Sequence, residues 1–183
     1  MKNIFSSKET LKQILIISGI FTVFIFSILN LINIHLITDT APSGIISFEF
    51  AKDIDKSISI ISSWNLDAKI NAGLSLGIDF LFLIVYSIFF STACYLIAQI
   101  YIKRITFLYK FGLVIAQLQF IAGLFDAIEN VALIKLLLGS QNELYSPIAY
   151  YFASIKFAII AIGIIYVIIG LITSLSHKTT SSK

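Results

Sequence analysis

Charged residues are scarce in this sequence. Asp, Glu, Lys and Arg make up 13% of its 183 residues, whereas a soluble domain carries about 25%. Hydrophobic residues make up 58%, against roughly 45–50% in soluble domains, and the mean hydropathy is +0.96. These figures exclude an ordinary water-soluble domain. They also exclude a disordered chain, which combines few apolar residues with a high net charge.

Several chemical signatures are also missing. Cys94 is the one cysteine, which excludes an internal disulfide and a cysteine metal cluster. We expect Cys94 to be a small buried apolar residue. The sequence has no Lys/Arg stripe with interleaved aromatic residues, so it predicts no nucleic-acid partner. Gly-rich phosphate loops, H-E-x-x-H and G-x-S-x-G motifs do not occur. The sequence therefore names no cofactor and leaves open whether the protein is an enzyme.

What the sequence does have is four long apolar runs, each long enough to cross the hydrocarbon core of a bilayer as a helix of about 20 residues. They cover about residues 14–38, 72–102, 105–138 and 147–175. The runs are continuous rather than alternating, which favours helices over the strands of a barrel. We therefore predict an all-α polytopic membrane protein, a single transmembrane domain (residues 1–183) built as a four-transmembrane-helix bundle.

The connection between the first two runs is the longest, and it has helical periodicity of its own. Isoleucine and phenylalanine recur there at spacings of three and four residues, with charged residues on much of the other side. This pattern predicts one amphipathic interfacial helix over about residues 44–63, lying at the outer surface or over the mouth of the bundle. We expect Ser43 to cap its start and Trp64 to lie near the lipid headgroups.

The basic residues predict the orientation of the chain. If the N-terminus is inside, the cytoplasmic segments hold Lys2, Lys8, Lys12, Lys103, Arg104, Lys110, Lys178 and Lys183, and the outer segments hold Lys52, Lys56 and Lys69. The excess on the first side favours a multi-pass protein of the inner (cell) membrane with N- and C-termini in the cytoplasm.

Five ionisable residues interrupt the apolar runs, where charge is costly and by default indicates function. They are Asp79, Asp126, Glu129, Lys135 and Lys156. Counted inward from the predicted outer ends, Asp126 lies roughly 18 Å deep and three others lie roughly 10–13 Å deep, while Lys135 is close enough to the surface to reach water. Asn30 of the first run falls roughly 12 Å deep. Polar groups from all four helices therefore share one layer, which predicts a single buried cluster.

Helical spacing gives the faces of this cluster. Asp126, Glu129 and Asn130 recur at i, i+3 and i+4, so they share one face of the third helix. Asp79 and Tyr86 share a stripe of the second helix. The candidate binding residues are thus Asp79, Asp126, Glu129, Asn130, Lys156, Tyr86 and Asn30.

Two interpretations of the cluster stay open at this point. Carboxylates that lie close together in a low dielectric need a cation or a proton among them. Lys156 with Asp126 or Glu129, helped by Asn130, could form a buried salt-bridge network that fixes the helix register. Alternatively, the cluster binds an ion, a lipid headgroup or a partner helix.

Two further hypotheses assign chemistry to the same residues. In a small membrane enzyme acting on an amphipathic lipid-like substrate, Asp126 and Glu129 would be the acid–base pair. Asp79 would orient the substrate or bind a metal, and Lys156 would stabilise developing negative charge. A proton- or cation-coupled transporter with four helices would need to form a homo-oligomer. The predicted partners are thus the lipid bilayer and an ion or lipid ligand.

Several polar and aromatic positions form a recognisable set within residues 39–138. They are Pro42-Ser43-Gly44-Ile45, Glu49-Phe50-Ala51, Trp64, Asp79-Phe80-Leu81-Phe82, Tyr86 and Asp126-Ala127-Ile128-Glu129-Asn130. This set resembles a family of small bacterial four-helix integral membrane proteins, and its most specific element is the intramembrane D-x-x-E-N motif. The resemblance implies the same helix count and inner-membrane placement, and it carries over no activity.

Overall fold

The computed structural model describes the backbone of residues 8–102 and 105–180, and the side chains of residues 8–102 and 105–174. Within these residues the protein is all-helical, with six α-helices, one 3-10 turn and no strand. The helices are α1 (Lys8–Asn33), α2 (Ile45–Glu49), α3 (Ile54–Ser63), α4 (Leu66–Tyr101), α5 (Thr106–Leu137) and α6 (Tyr145–Thr180), and the 3-10 turn Ile34–Leu36 follows α1.

Four of these helices are long and apolar enough to cross a membrane, which confirms the predicted four-helix bundle. The candidate spans are Lys8–Leu36, Leu66–Tyr101, Thr106–Leu137 and Tyr145–Ser174. The first two spans each begin six residues earlier than predicted, at Lys8 rather than residue 14 and at Leu66 rather than residue 72. The start of the first span is charged and contains an ion pair of 2.9 Å between Lys12 and Glu9, so this helix extends beyond its apolar part.

Helix α4 occupies the middle of the bundle. It packs against α5, α1 and α6, and α6 also packs extensively against α5. Helix α1 packs mainly on α4 among the described residues, and only Ser18 and Ile25 of α1 are buried. One side of α1 therefore faces α6 across a gap.

The segment between α1 and α4, residues 37–65, folds over one end of the bundle, and we call it the cap. The prediction of one amphipathic helix over residues 44–63 is wrong in one respect, because the segment forms two helices. The first of them ends at Glu49, and Lys52, in the turn that follows, adopts a left-handed conformation with φ of 66°. Asp53 then starts α3, because its side chain accepts a hydrogen bond of 2.7 Å from the Lys56 amide.

This break changes which side chains the cap buries. Ile46 and Ile58, which belong to the apolar recurrence that predicted one helix, are 40% and 42% exposed. Phe48 and Ile60 are buried instead, together with Glu49. A continuous helix would have kept α2 and α3 in one register, whereas the turn between them rotates each one independently onto the bundle.

The start of α2 is capped by a residue far away in the sequence rather than by Ser43 as predicted. Asn33, at the end of α1, accepts a hydrogen bond of 2.8 Å from the Ile45 amide through its side-chain oxygen. Its side-chain amide lies against Gly44, whose φ of 62° suits glycine. Asn33 thus ties the cap to the end of α1.

Other contacts anchor the cap to the rest of the bundle. Trp64 is 2% exposed, and its indole N–H donates to the Leu36 carbonyl at 2.9 Å. It is therefore enclosed by protein, and its depth relative to the lipid headgroups stays a prediction. Ser57 and Ser146 share a buried hydrogen bond of 2.8 Å that joins α3 to α6. These contacts hold α2 over the bundle interior.

Candidate functional site

Four elements bring charged side chains together just beneath the cap. Asp79 comes from α4, Asp126 and Glu129 come from one face of α5, and Lys156 comes from α6. Glu49 comes from the last residue of α2. We refer to these five residues as the ion cluster. Its existence confirms that the polar residues of α4, α5 and α6 lie in one layer.

Lys156 is the centre of the ion cluster. Its ammonium nitrogen lies 2.6 Å from an oxygen of Asp126 and 2.8 Å from an oxygen of Glu129. A third carboxylate, Glu49, lies 3.8 Å away. The Lys156 and Asp126 side chains are almost fully buried, and Glu129 is 0% exposed. The predicted network of Lys156 with Asp126 and Glu129 is therefore present, and it ties α6 to α5.

Two hydrogen bonds join α4 to the same network. The Tyr86 hydroxyl donates to the second oxygen of Asp126 at 2.9 Å. The Asn130 side-chain amide donates to Asp79 at 2.7 Å. Asn130 thus supports Asp79 rather than the Lys156 ion pairs that the sequence suggested.

Glu49 is the member that the sequence analysis missed. It is absent from the candidate binding residues of the sequence analysis, yet it is 7% exposed and lies beside Lys156. Burial raises the pKa of the Glu49 carboxyl above its ordinary value of 4.5, and the attraction of Lys156 offsets this rise only in part. The available signal was the position of Glu49 within the set that carries the family resemblance.

A cavity of about 590 Å³ opens beside the ion cluster, in the gap between α1 and α6. Glu49, Asp79, Asp126, Asn130 and Lys156 line one part of it. The rest is mostly apolar, with Val23 and Phe26 from α1, Phe82 and Phe90 from α4, and Ile160 and Ile164 from α6. Pockets of roughly 300–1,000 Å³ are typical of small-molecule sites.

The predicted site residues occupy three positions relative to this cavity. Asp79, Tyr86, Asp126, Asn130 and Lys156 line it and are joined by the contacts above. Glu129 is enclosed behind Lys156 and is absent from the described lining. Asn30 lines the cavity from α1, but its side-chain amide donates to the Phe26 carbonyl of its own helix. Asn30 therefore has no described hydrogen bond to the ion cluster, because the cavity separates α1 from α5 and α6, and its role as a binding residue stays a prediction.

The arrangement bears on the metal and acid–base hypotheses. Among the described residues, no group of three or more His, Cys, Asp and Glu side chains has an arrangement that could hold a metal ion. Asp126 and Glu129, the predicted acid–base pair, both contact Lys156, and only Asp126 reaches the cavity. Both carboxyl groups of the pair are thus engaged by a lysine of the protein itself.

The remaining single-residue predictions have mixed outcomes. Cys94 is fully buried, as expected, and its thiol donates to the Gly163 carbonyl at 3.7 Å. Lys135 is exposed near the cap end of α5. Four basic residues of the orientation argument, Lys2, Lys103, Arg104 and Lys183, lie outside the described residues, as does the Lys178 side chain.

The fold and this site define the class of the protein: a multi-pass α-helical membrane protein with a charged, ligand-sized cavity among its helices. No family model, curated protein or solved structure matches the chain. The resemblance to small four-helix bacterial membrane proteins accordingly stays a prediction.

Proposed function

We propose that this protein binds an amphipathic, lipid-like molecule in the cavity between α1 and α6, with the polar group of the ligand against the ion cluster. We also propose that it does so in the inner membrane, with both termini in the cytoplasm, as the distribution of basic residues predicts. The observation that carries the proposal is the cavity itself, which has one charged wall and is otherwise mostly apolar.

The apolar walls support a ligand with a hydrocarbon part. Val23 and Phe26 on one side are 66% and 56% exposed, and Ile164 on the other side is 38% exposed. In a membrane these side chains face lipid tails, so a chain can enter sideways between α1 and α6 without crossing a polar surface. The cavity volume suits one chain with its head group rather than a whole two-chain lipid.

The charged wall supports a polar head group at the deep end of the same molecule. Ionisable side chains within the bilayer are expensive and commonly line a substrate or ion pathway. An ion-pair network that only fixed the helix register would account for Lys156, Asp126 and Glu129. It would leave no role for Asp79, whose carboxylate lines the cavity and is held there by Asn130.

Filling the cavity tests this proposal. We expect Ile160→Trp to reduce the amount of lipid-like ligand that stays with the protein purified in non-ionic detergent, measured by native mass spectrometry. The matched control is Ile162→Trp, on the same helix, because Ile162 is 48% exposed and is not part of the described cavity lining. Equal amounts of bound ligand in the two variants and in the wild type would contradict a site between α1 and α6.

A further inference from the structure

The charges around the cavity are unequal. The ion cluster contains four carboxylates, Glu49, Asp79, Asp126 and Glu129, and one ammonium, Lys156. Three of those carboxylates line the cavity. A deficit of positive charge in a site of low dielectric is relieved either by protons or by an added cation.

The single positive charge of Lys156 cannot balance four carboxylates. Two short contacts, of 2.6 Å and 2.8 Å, go to Asp126 and Glu129. Glu49 is left at 3.8 Å, which is beyond hydrogen-bonding distance.

Glu49 therefore has an oxygen that is buried and unsatisfied. The side chain of Glu49 is 10% exposed, and its Oε2 atom accepts no hydrogen bond from an N–H or hydroxyl group of the described residues. The neighbouring Glu129 carboxyl can share a hydrogen bond with Glu49 only when one of the two holds a proton. The same side chain lines the cavity. A buried carboxylate oxygen without a donor is costly, and a donor in the cavity would remove that cost.

The aromatic residues around the cavity also favour a positive group. Phe26, Phe82, Tyr86, Phe90 and Phe157 all line it. The faces of such rings attract ammonium groups when the two lie within about 6 Å, and Lys156 already lies 5.0 Å from the Phe157 ring centre. Rings offer no ligand to a hard metal ion, which takes oxygen ligands.

We propose that the polar group of the ligand is an ammonium, so that the cavity selects single-chain amphiphiles with a cationic amine head over anionic or neutral ones. This inference rests on the proposed function and specifies its ligand class. The head group would donate hydrogen bonds to Glu49 and Asp79, next to the Lys156 ion pairs, and the chain would lie between α1 and α6. Burial raises the pKa of the Glu49 carboxyl and so favours its neutral form. The positive charge of an arriving ammonium would oppose this effect and favour the ionised form.

The test compares three amphiphiles with the same tail: dodecylammonium, dodecanoate and dodecanol. Each is titrated into the purified protein in non-ionic detergent at mildly alkaline pH, and binding is measured by native mass spectrometry and by the shift of Tm. Since a hydrogen bond to a charged group contributes about 1.5 kcal/mol or more, we expect dodecylammonium to bind at least about tenfold more tightly than dodecanoate. Ethanolammonium, which has no tail, is expected to produce no shift.

Variants assign the selectivity to the cavity. Glu49→Gln should weaken dodecylammonium binding about tenfold and leave dodecanol binding unchanged. The matched control is Glu143→Gln, because Glu143 is exposed in the loop between α5 and α6, and it should bind as the wild type does. If Glu49→Gln does not fold, Asp79→Asn carries the same test, since the new amide oxygen can still accept from Asn130.

The outcomes separate the two proposals. Equal binding of all three amphiphiles, abolished by Ile160→Trp, would overturn the ammonium selectivity and keep the amphiphile site. Tighter binding of dodecanoate would also overturn it, and would make Lys156 the anchor. Binding of none of them, or binding that Ile160→Trp does not change, would overturn both.

Discussion

The two ends of the bundle satisfy their buried polar groups in different ways. At the cap end, the buried polar groups include charged ones that pair across helices, as in the contacts of Lys156 with Asp126 and Glu129. At the opposite end, which we call the terminal end, buried polar groups are neutral and most of them donate to backbone carbonyls. There the Tyr166 hydroxyl donates to the Leu108 carbonyl at 3.0 Å.

The difference shows which polar groups a membrane helix can hold without a partner helix of opposite charge. A neutral donor is satisfied by a carbonyl that any helix supplies, such as the Ile115 and Ile159 carbonyls that accept from Gln119. A carboxylate or an ammonium needs a countercharge from another element. Among the residues the structure describes, all buried charges lie toward the cap end. Because buried charges are costlier to satisfy than neutral polar groups, stability alone does not explain why charged residues lie at the cap end.

Removing the central cation is expected to have the largest effect. Lys156→Met leaves Asp126 and Glu129 buried without their countercharge, so we expect a loss of about 3–5 kcal/mol in the free energy of unfolding. Equilibrium unfolding in detergent measures it. The control is Lys135→Met, at an exposed lysine of α5, which should change stability by less than about 0.5 kcal/mol.

A triple variant sharpens this result. If the loss arises from unpaired charge, Asp126→Asn and Glu129→Gln should recover much of the stability of Lys156→Met. Similar losses in Lys156→Met and Lys135→Met would contradict the view that the cap end depends on charge pairing.

A matched pair of tyrosines compares the two ends directly. Tyr86 donates to the charged Asp126 at the cap end, whereas Tyr101 shares a hydrogen bond with the neutral Thr173 at the terminal end. We expect Tyr86→Phe to lower the free energy of unfolding by about 2 kcal/mol, and Tyr101→Phe to lower it by about 0.6 kcal/mol. Equal losses measured under the same conditions would remove the distinction between the ends.

The smallest expected effect is on the pH dependence of stability, and it also belongs to the cap end. The pKa of Glu49 is raised in the folded protein, so the fold keeps this proton at pH values above 4.5 at which the unfolded chain has lost it. Stability must then fall as pH rises through that window. One whole proton contributes about 1.4 kcal/mol per pH unit to the slope of stability against pH. Replacing Glu49 with Gln should flatten that slope by a fraction of this amount.

Thermal unfolding in detergent over roughly pH 5 to 8 measures this slope. Lys156, Asp126 and Glu129 face Glu49 and stay in place in the variant, so the comparison measures what the Glu49 carboxyl contributes to the titration of this coupled group. Glu143→Gln, at an exposed carboxylate, should keep the wild-type slope. A Glu49→Gln slope as steep as that of the wild type would assign the pH dependence to other groups.

Helical periodicity predicted the part of the site that lies on regular helices. Asp126, Glu129 and Asn130 share a face because of their spacing, and Lys156 falls at the same depth because α6 starts near the same bundle end. What the periodicity left open concerns segments whose position depends on distant contacts. Asn30 was placed at the right depth, but depth does not say whether α1 packs against α5 or stands apart from it.

The cap shows the same limit. Asp53 is a local signal for a helix start, and it was available in the sequence as the reason for two helices instead of one. The capping of α2 by Asn33 was not available, because the two residues that meet lie twelve positions apart and are brought together only by the fold.

The sequence by itself determined the class of the protein, its four spans and the layer in which its charges lie, because the cost of exposing polar groups to lipid constrains length and depth before any packing occurs. The tertiary structure decided which charges pair, that Glu49 joins them from the cap, and that a cavity stays open between α1 and α6. These depend on how far each helix stands from its neighbours and on where a loop folds back. Neither the separation of the helices nor the path of the loop is encoded in a local pattern of residues.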